Sequence, residues 1–326
     1  MKRAVVDMHC DTIAEIYYGQ EDGRNVELLE NKLQLDLKRM KKAGYMVQNF
    51  ALFTPLGRPR TGGSPFVYGM KLLDVFYEEM EKNQEIITQV TDYAGIEANW
   101  KAGKMSALLT LEEGGVCQGD VRLLRDFYRL GVRMMTLTWN FPNELGYPAK
   151  VTEGKWKGRL FDTGEYGLTE TGIRFVKEME RLGMMIDVSH LNDAGIEDVL
   201  VHTTKPFVAS HSNARAVCRH PRNLTDELIR KMAQRGCVIG INYGADFLHD
   251  WEEGEKAAGR IEHMVEHIRH IRKVGGIGCL GLGSDFDGID KPLEIASPDQ
   301  VPLLAEALER AGFTGSEREI FTLQGP

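Results

Sequence analysis

The sequence predicts an α/β fold, a single (β/α)8 barrel, on three observations. Short, almost continuously apolar runs recur along the chain, and each is followed by a loop and a segment with helical periodicity. Such runs suit strands buried on both faces, as in a parallel sheet. Eight of them fit into the 326 residues, a length within the range of one closed barrel. No Ser/Gly-rich linker or change of composition divides the chain, so residues 1–326 are expected to form one domain.

The first strand is the run Ala4-Val5-Val6-Asp7-Met8, which leads into His9-Cys10-Asp11. Residues two apart on a strand point the same way, so His9 and Asp11 should project together from its C-terminal end. A polar, glycine-containing loop and a helix over 33–42 come next, then a second strand over 46–53. Residues 54–65 are rich in Gly, Pro and Arg and predict a long loop. Residues 70–100 predict helix in more than one piece. A third strand at 106–111 ends in Glu112-Glu113-Gly114-Gly115, and a helix over 120–130 stops at Gly131.

Strand four spans 132–138 and opens into a second long loop, 140–168. Thr169 has the chemistry of a helix cap and Gly183 that of a helix stop. Strand five (184–190), a helix running to 201, strand six (206–211) and a helix over 225–234 follow. Strand seven (237–243), a helix over 259–274, strand eight (279–285) and a closing helix over 298–311 complete the pattern. Strict alternation of this kind indicates a parallel sheet, and eight repeats indicate closure.

The balance of 42% hydrophobic and 27% charged residues is that of a globular chain able to bury a full core. A net charge of −8 argues against a nucleic-acid or anionic-membrane partner, either of which would call for a basic face. The N-terminus enters a strand at once, with no signal-peptide pattern, and no apolar run approaches the ~20 residues of a membrane span. Cys10, Cys117, Cys218, Cys237 and Cys279 are odd in number and widely spaced, which predicts buried free thiols in a reducing cytoplasm. Cys10 lies between two candidate ligands but in the opposite strand orientation.

Polar residues interrupt the apolar runs at the C-terminal strand ends: His9 and Asp11, Glu113, His190, His211 and Asp285. In a barrel those ends form the face where active sites lie. Imidazoles and carboxylates without thiolates favour zinc or another borderline divalent metal. Six candidates exceed the needs of one tetrahedral ion, so two ions sharing a bridging carboxylate are expected, with Glu113 as the bridge. Two ions about 3.5–4 Å apart can hold a hydroxide that is nucleophilic at neutral pH, which predicts metal-assisted hydrolysis.

The segments MHCD, LEEGG, DVSH, SHSNAR, RHPRN and GSDFDG resemble, in order and spacing, the membrane (renal) dipeptidase family of zinc peptidases. The similarity covers essentially the whole chain. It implies one zinc on His9, Asp11 and Glu113, and a second on Glu113, His190 and His211. It implies that Asp285 handles the catalytic proton and that Arg222 grips the C-terminal carboxylate of a dipeptide. A guanidinium suits that task, since it can hold a carboxylate through two parallel hydrogen bonds. The resemblance further implies a dipeptide substrate, with an L,D-dipeptide tolerated, and a homodimer. The lipid anchor and secretory processing of the mammalian relatives do not carry over, so a cytoplasmic enzyme is expected.

Two departures from the family pattern stand out. The mammalian-type members carry a histidine at the end of strand four, where it holds substrate; here the segment is Leu137-Thr138-Trp139-Asn140. An indole accepts no hydrogen bond, so with Trp139 and Asn140 as the substrate-side residues here, carbonyl stabilisation falls to the metals, to Asn140 or to another group. The chain also stops at Gln324-Gly325-Pro326, where relatives usually add a short helix. Related amidohydrolase barrels bridge their metals with a carboxylated lysine on strand four, a position that here ends in Trp139.

Other readings compete. A different metal-dependent barrel hydrolase could act on acyl-amino acids, lactones or cyclic amides. A non-catalytic binding barrel would keep buried carboxylates and imidazoles at a cost without metal. His263-Met264-Val265-Glu266-His267 spells an H-x-x-E-H zinc motif, with His270 a turn further on, yet an outer-ring helix is the plainer reading. Residues 278–283 are glycine-rich but lack the Lys-Ser/Thr of a phosphate loop. Trp139, Phe141 and Tyr147 read as pocket wall or core rather than as a stacking platform.

Overall fold

A computed structural model describes residues 4–56, 63–151, 157–158 and 166–318. The chain end at 319–326, and most of the second half of the loop expected at 140–168, lie outside the described residues.

The first strand, β1 (Val5–Asp7), is shorter than its apolar run, and the chain turns directly into α1 (Thr12–Glu21). This helix was not expected. Its apolar residues Ile13, Ala14, Ile16 and Tyr17 are buried although the segment shows little polar contrast. In α2 (Leu37–Ala43) the Asp36 side chain accepts from Arg39 N, and Gly44 closes the helix at φ 80°. Then come β2 (Tyr45–Phe53) and α3 (Pro65–Lys82).

The stretch expected as helix in more than one piece does contain a second helix, α4 (Tyr93–Lys101), but a strand, β3 (Ile87–Val90), precedes it. Ile87, Thr88 and Val90 are β-branched, and β3 pairs with the first half of β4 (Met105–Glu112). That edge of β4 is open there because β5 (Met134–Thr136), reached through α5 (Val121–Arg129), pairs only with residues 110–112. Pairing thus overrides the weak helical pattern.

The remaining units are α6 (Glu170–Leu182), β6 (Met185–Asp187), α7 (Asp193–His202), β7 (Val208–Ala209), α8 (Asp226–Gln234) and β8 (Val238–Ile241). After them come α9 (Ala245–Leu248), α10 (Ile261–Gly275), β9 (Leu280–Leu282), α11 (Pro302–Arg310) and the short α12 (Gly315–Arg318). As its sequence predicts, α6 is capped by Thr169, which accepts from Gly172 N, and stopped by Gly183 at φ 76°.

All strand pairs are parallel, and the β2–β4 pairing closes a ring in the order β1-β2-β4-β5-β6-β7-β8-β9. This is the expected eight-stranded barrel, with β3 as a ninth strand outside the ring. Met8, Met134 and Val208 pack together with Val238 although they come from distant strands, so they meet across the barrel interior. The larger core lies between strands and helices, where Leu109, Leu111, Ile186 and Ile239 meet Phe127, Phe175 and Ile268. A Cβ on Gly240 or Gly283 would collide with the Ser210 carbonyl oxygen. The glycines beside and at the end of β9 therefore serve close strand packing.

Candidate metal centre and substrate cleft

Six buried side chains converge at the C-terminal mouth of the ring: His9, Asp11, Glu112, His190, His211 and Asp285. His9 and Asp11 lie just past the end of β1, and Asp11 occupies the position before α1. His9 Nε2 is 3.6 Å from Asp11 Oδ2, 3.3 Å from Glu112 Oε2 and 3.9 Å from Asp285 Oδ1. On the other side, Glu112 Oε1 is 3.1 Å from His190 Nε2 and 3.6 Å from His211 Nε2. The two imidazole Nε2 atoms are 3.0 Å apart. Three overlapping triads have ligand-capable atoms within 4.8 Å of one another: His9-Asp11-Glu112, Glu112-His190-His211 and His9-His211-Asp285.

The glutamate that reaches both halves of the cluster is Glu112, which corrects the expectation for Glu113. Glu112 is the last residue of β4 and still obeys the strand alternation. Leu109 and Leu111 belong to the outer core, so Thr110 and Glu112 face the opposite way. At Glu113 the backbone swings to φ 96° and leaves the strand. Its carboxylate is fully buried elsewhere: it accepts from Gly115 N at 2.7 Å, from Trp139 N at 2.8 Å and from the Asn143 side-chain amide. Counting alternation backward from Glu112 through Thr110 to Ser106 was the available signal.

A ring of partners holds these side chains. Asn140 Oδ1 lies 2.9 Å from His190 Nδ1, so that Nδ1–H donates and Nε2 is left with a free lone pair. His211 Nδ1 is 2.8 Å from Ser210 Oγ, which donates to Asp187 Oδ2 at 2.6 Å. Asp187 also accepts from Thr136 Oγ1 at 2.6 Å and from the Ser189 and Ser210 amides. Asn242 Nδ2 donates to Asp285 Oδ2 at 2.8 Å. His190 (φ 70°) and Asp285 (φ 63°) both carry positive φ, a sparsely populated conformation that aims each side chain into the cluster.

The electrostatics match a site built for a cation. Burial holds His190 and His211 well below the ordinary imidazole range, which keeps both rings neutral, the ligating form. Burial works against a charge on His9 too, but Glu112 and Asp11 beside it outweigh that and raise its pKa well above 6.5. Burial, then the nearby Asp11 carboxylate, pushes Glu112 up to about 8. Burial lifts Asp285 to about 6 and Glu113 to about 7. Both ring nitrogens of His9 and Oδ1 of Asp11 are buried without a hydrogen-bond partner. Orphaned buried donors and acceptors are costly, and a divalent ion among these N and O atoms would satisfy them. The donor set fits a borderline divalent metal.

Beside the cluster lies a cleft of about 700 Å³ whose wall includes Asn140, His190, Arg222 and Phe247. Arg222 is buried; its guanidinium lies 5.6 Å over the Phe247 ring, with Nη1 3.4 Å from Ser212 Oγ and Nη2 3.3 Å from His211 O. Its Nε has no partner. Burial lowers its pKa only to about 10, so it stays charged at neutral pH. Arg222 thus presents a cation one residue layer from His211. Trp139 is not among the described lining residues. Its ring packs on Phe53 and Phe141 at 4.9 and 5.5 Å and stands 6.2 Å from His190, in an aromatic cluster rather than on the cleft surface. Tyr147 packs on Tyr166 instead.

The sequence matches the membrane dipeptidase family, peptidase family M19, over residues 1–325. The chain belongs to that family. It is 32% identical over 316 residues to an uncharacterized dipeptidase of Schizosaccharomyces pombe, covering 89% of this chain and 73% of that one. A protein from the pqqA 5′ region of Klebsiella pneumoniae is 38% identical over 204 residues, 62% of this chain and 73% of its own. Among solved structures, a metallopeptidase of family M19 described as dipeptidase AC superimposes with a TM-score of 0.84 at 26% identity, over 99% of this chain and 96% of that one. A Rhodobacter sphaeroides metallopeptidase, liganded with a phosphinate mimic of L-Ala-D-Ala, gives 0.85 at 24% identity over 99% and 97%. Membership makes the chain a metallodipeptidase.

In this member of the membrane dipeptidase family the H-x-x-E-H sequence lies on α10, in the outer ring. His267 Nδ1 accepts from Ala214 N at 3.0 Å while Nε2 lies 3.1 Å from Leu248 O, which leaves no lone pair for a metal. His270 pairs with Asp226 at 2.7 Å, and His263 stacks on His249 at 4.3 Å. All five cysteines are buried and free; Cys10 Sγ lies 3.5 Å from Asn49 O, away from the cluster. Among the described residues no helix is long and apolar enough to cross a membrane.

Proposed function

We propose that residues 1–326 act as one barrel domain that hydrolyses dipeptides with two zinc ions per chain. His9, Asp11 and Glu112 would hold one ion, and Glu112, His190 and His211 the other. The observation that carries this reading is the Glu112 carboxylate, with one oxygen toward His9 and the other toward His190 and His211. When bound, such a pair polarises a carbonyl and makes a water nucleophilic at neutral pH.

The chain's own groups do the rest. Arg222 takes the substrate's C-terminal carboxylate in a buried setting, where a charge-assisted pair is worth most. Asn140 fixes the tautomer and ring plane of His190. Asp285, held by Asn242 and raised to about 6, can take a proton at Oδ1 and return it to the departing amine nitrogen. The substrate is an L,L- or an L,D-dipeptide, and the mimic of L-Ala-D-Ala bound by the Rhodobacter sphaeroides relative supports testing both. Cytoplasmic location and a homodimer remain part of this proposal; sedimentation of the purified protein tests the second.

The decisive assay uses metal-stripped protein with L,L- and L,D-dipeptides, before and after zinc is restored. Hydrolysis that returns with about two zinc ions per chain supports the reading. Bound zinc with no turnover of any dipeptide would overturn the substrate.

A further inference from the structure

Among the described residues, two cations line the cleft without a carboxylate partner. Arg222 is one. Lys150 is the other: it lies in the cleft wall, half-buried, and has no ion-pair or hydrogen-bond partner among the described residues. The remaining charges on that wall are neutralised. Arg219 Nε pairs with Asp250 Oδ2 at 2.6 Å, and Asp246 pairs with Lys291. His220 lines the same cleft as both cations. Burial and then the nearby Lys150 and Arg222 charges push it down to about 4, so it is neutral at pH 7 and adds no charge to the wall.

The place of Lys150 is fixed by the backbone. Ala149 N donates to His190 O at 2.7 Å, and Pro148 bridges Leu191 in antiparallel fashion. The segment bearing Lys150 is therefore tied to His190, a member of the buried cluster, and to its neighbour Leu191. A dipeptide with neutral side chains carries one carboxylate, which Arg222 would take. A second unpaired ammonium on the same wall is left to be matched by a second carboxylate on the ligand.

We infer that the cleft selects dipeptides whose C-terminal residue has an acidic side chain, and that Lys150 reads that second carboxylate. This rests on the dipeptidase reading above. The C-terminal residue is the relevant one because its α-carboxylate sits at Arg222, and Arg222, His220 and Lys150 line the same cleft.

The test compares zinc-loaded wild type, Lys150→Met and Lys150→Glu on matched pairs: Ala-Asp against Ala-Asn and Ala-Glu against Ala-Gln, each with an L- and a D-residue at the C-terminus. Wild type should prefer the acid over its amide by about tenfold or more in kcat/KM, the scale of one charge-assisted contact. Lys150→Met should collapse that ratio to near one through a higher KM for the acids. Lys150→Glu should invert it and favour Ala-Lys. Cleavage of acid and amide alike by wild type, or an acid preference that survives Lys150→Met, overturns the inference and leaves the dipeptidase reading standing. A preference for acid at the N-terminal residue overturns it as well. No cleavage of any dipeptide overturns both.

Discussion

Glu112 and Glu113 are neighbours in sequence and face opposite structures. Glu112 closes β4 with its oxygens 3.3 Å from His9 Nε2 and 3.1 Å from His190 Nε2. Glu113, at φ 96°, instead pins the loop that follows β5 through Trp139 N and Asn143. The two should respond differently to the same change. Glu112→Gln should lower bound metal below the wild-type content and reduce kcat by roughly a thousandfold, the equivalent of several kcal/mol of lost charge stabilisation. Glu113→Gln should keep its metal but set an amide donor against N–H donors, at a cost of about 1–3 kcal/mol in unfolding free energy. Metal analysis and denaturant titration of both variants check this; equal metal loss in the two would contradict it.

Arg222 is buried with an unpartnered Nε, so its guanidinium is held ready for an anion. Arg222→Lys keeps the charge and loses the planar fork. Steady-state kinetics should show kcat/KM lowered by about 10–100-fold, mainly through KM, as expected for one charge-assisted contact.

Asn140 acts through His190. With Asn140→Ala the ring loses the acceptor for its Nδ1–H, and zinc affinity should fall by about 10–100-fold, as is usual when the outer partner of a ligating imidazole is removed. Competition with a chromophoric chelator measures it. Unchanged affinity would show that His190 needs no such orientation.

The pH dependence of metal stabilisation has a definite sign. Burial raises Glu112 from 4.5 to about 8 in the metal-free fold, and His9 is raised as well. The metal-free folded state therefore binds protons that the unfolded chain releases, and this contribution to stability is lost as pH rises from about 4.5 through about 8. A divalent ion replaces those protons. The gain in Tm on adding zinc should then grow between pH 6 and pH 8, and a gain that stays flat over this interval would count against the assignment.

His267 belongs to the packing of α10 and not to metal chemistry. His267→Ala removes a partner from both Ala214 N and Leu248 O and should cost about 1–3 kcal/mol of stability while leaving zinc content unchanged.

Much of this was legible in the chain. The barrel was, because apolar strand runs alternating with capped helices are a local pattern, as at Thr169 and Gly183 around α6. So was the gathering of His9, Asp11, His190, His211 and Asp285, because each polar residue ends an apolar run and a parallel barrel brings all such ends to one mouth. α1 escaped notice because its buried face carries little polar contrast. β3 did so because its partner, the free edge of β4, is remote in sequence.

By itself, then, the sequence determined the class of fold, the order of its units and the chemical character of the mouth, all properties that short-range periodicity and residue type encode. The tertiary structure alone decided which of two adjacent glutamates enters the cluster, that Asn140 holds His190, and that Lys150 lines the same cleft as Arg222 with no counter-charge among the described residues. Those outcomes depend on where the backbone leaves the strand and on which distant segments meet there. Neither is encoded by spacing along the chain.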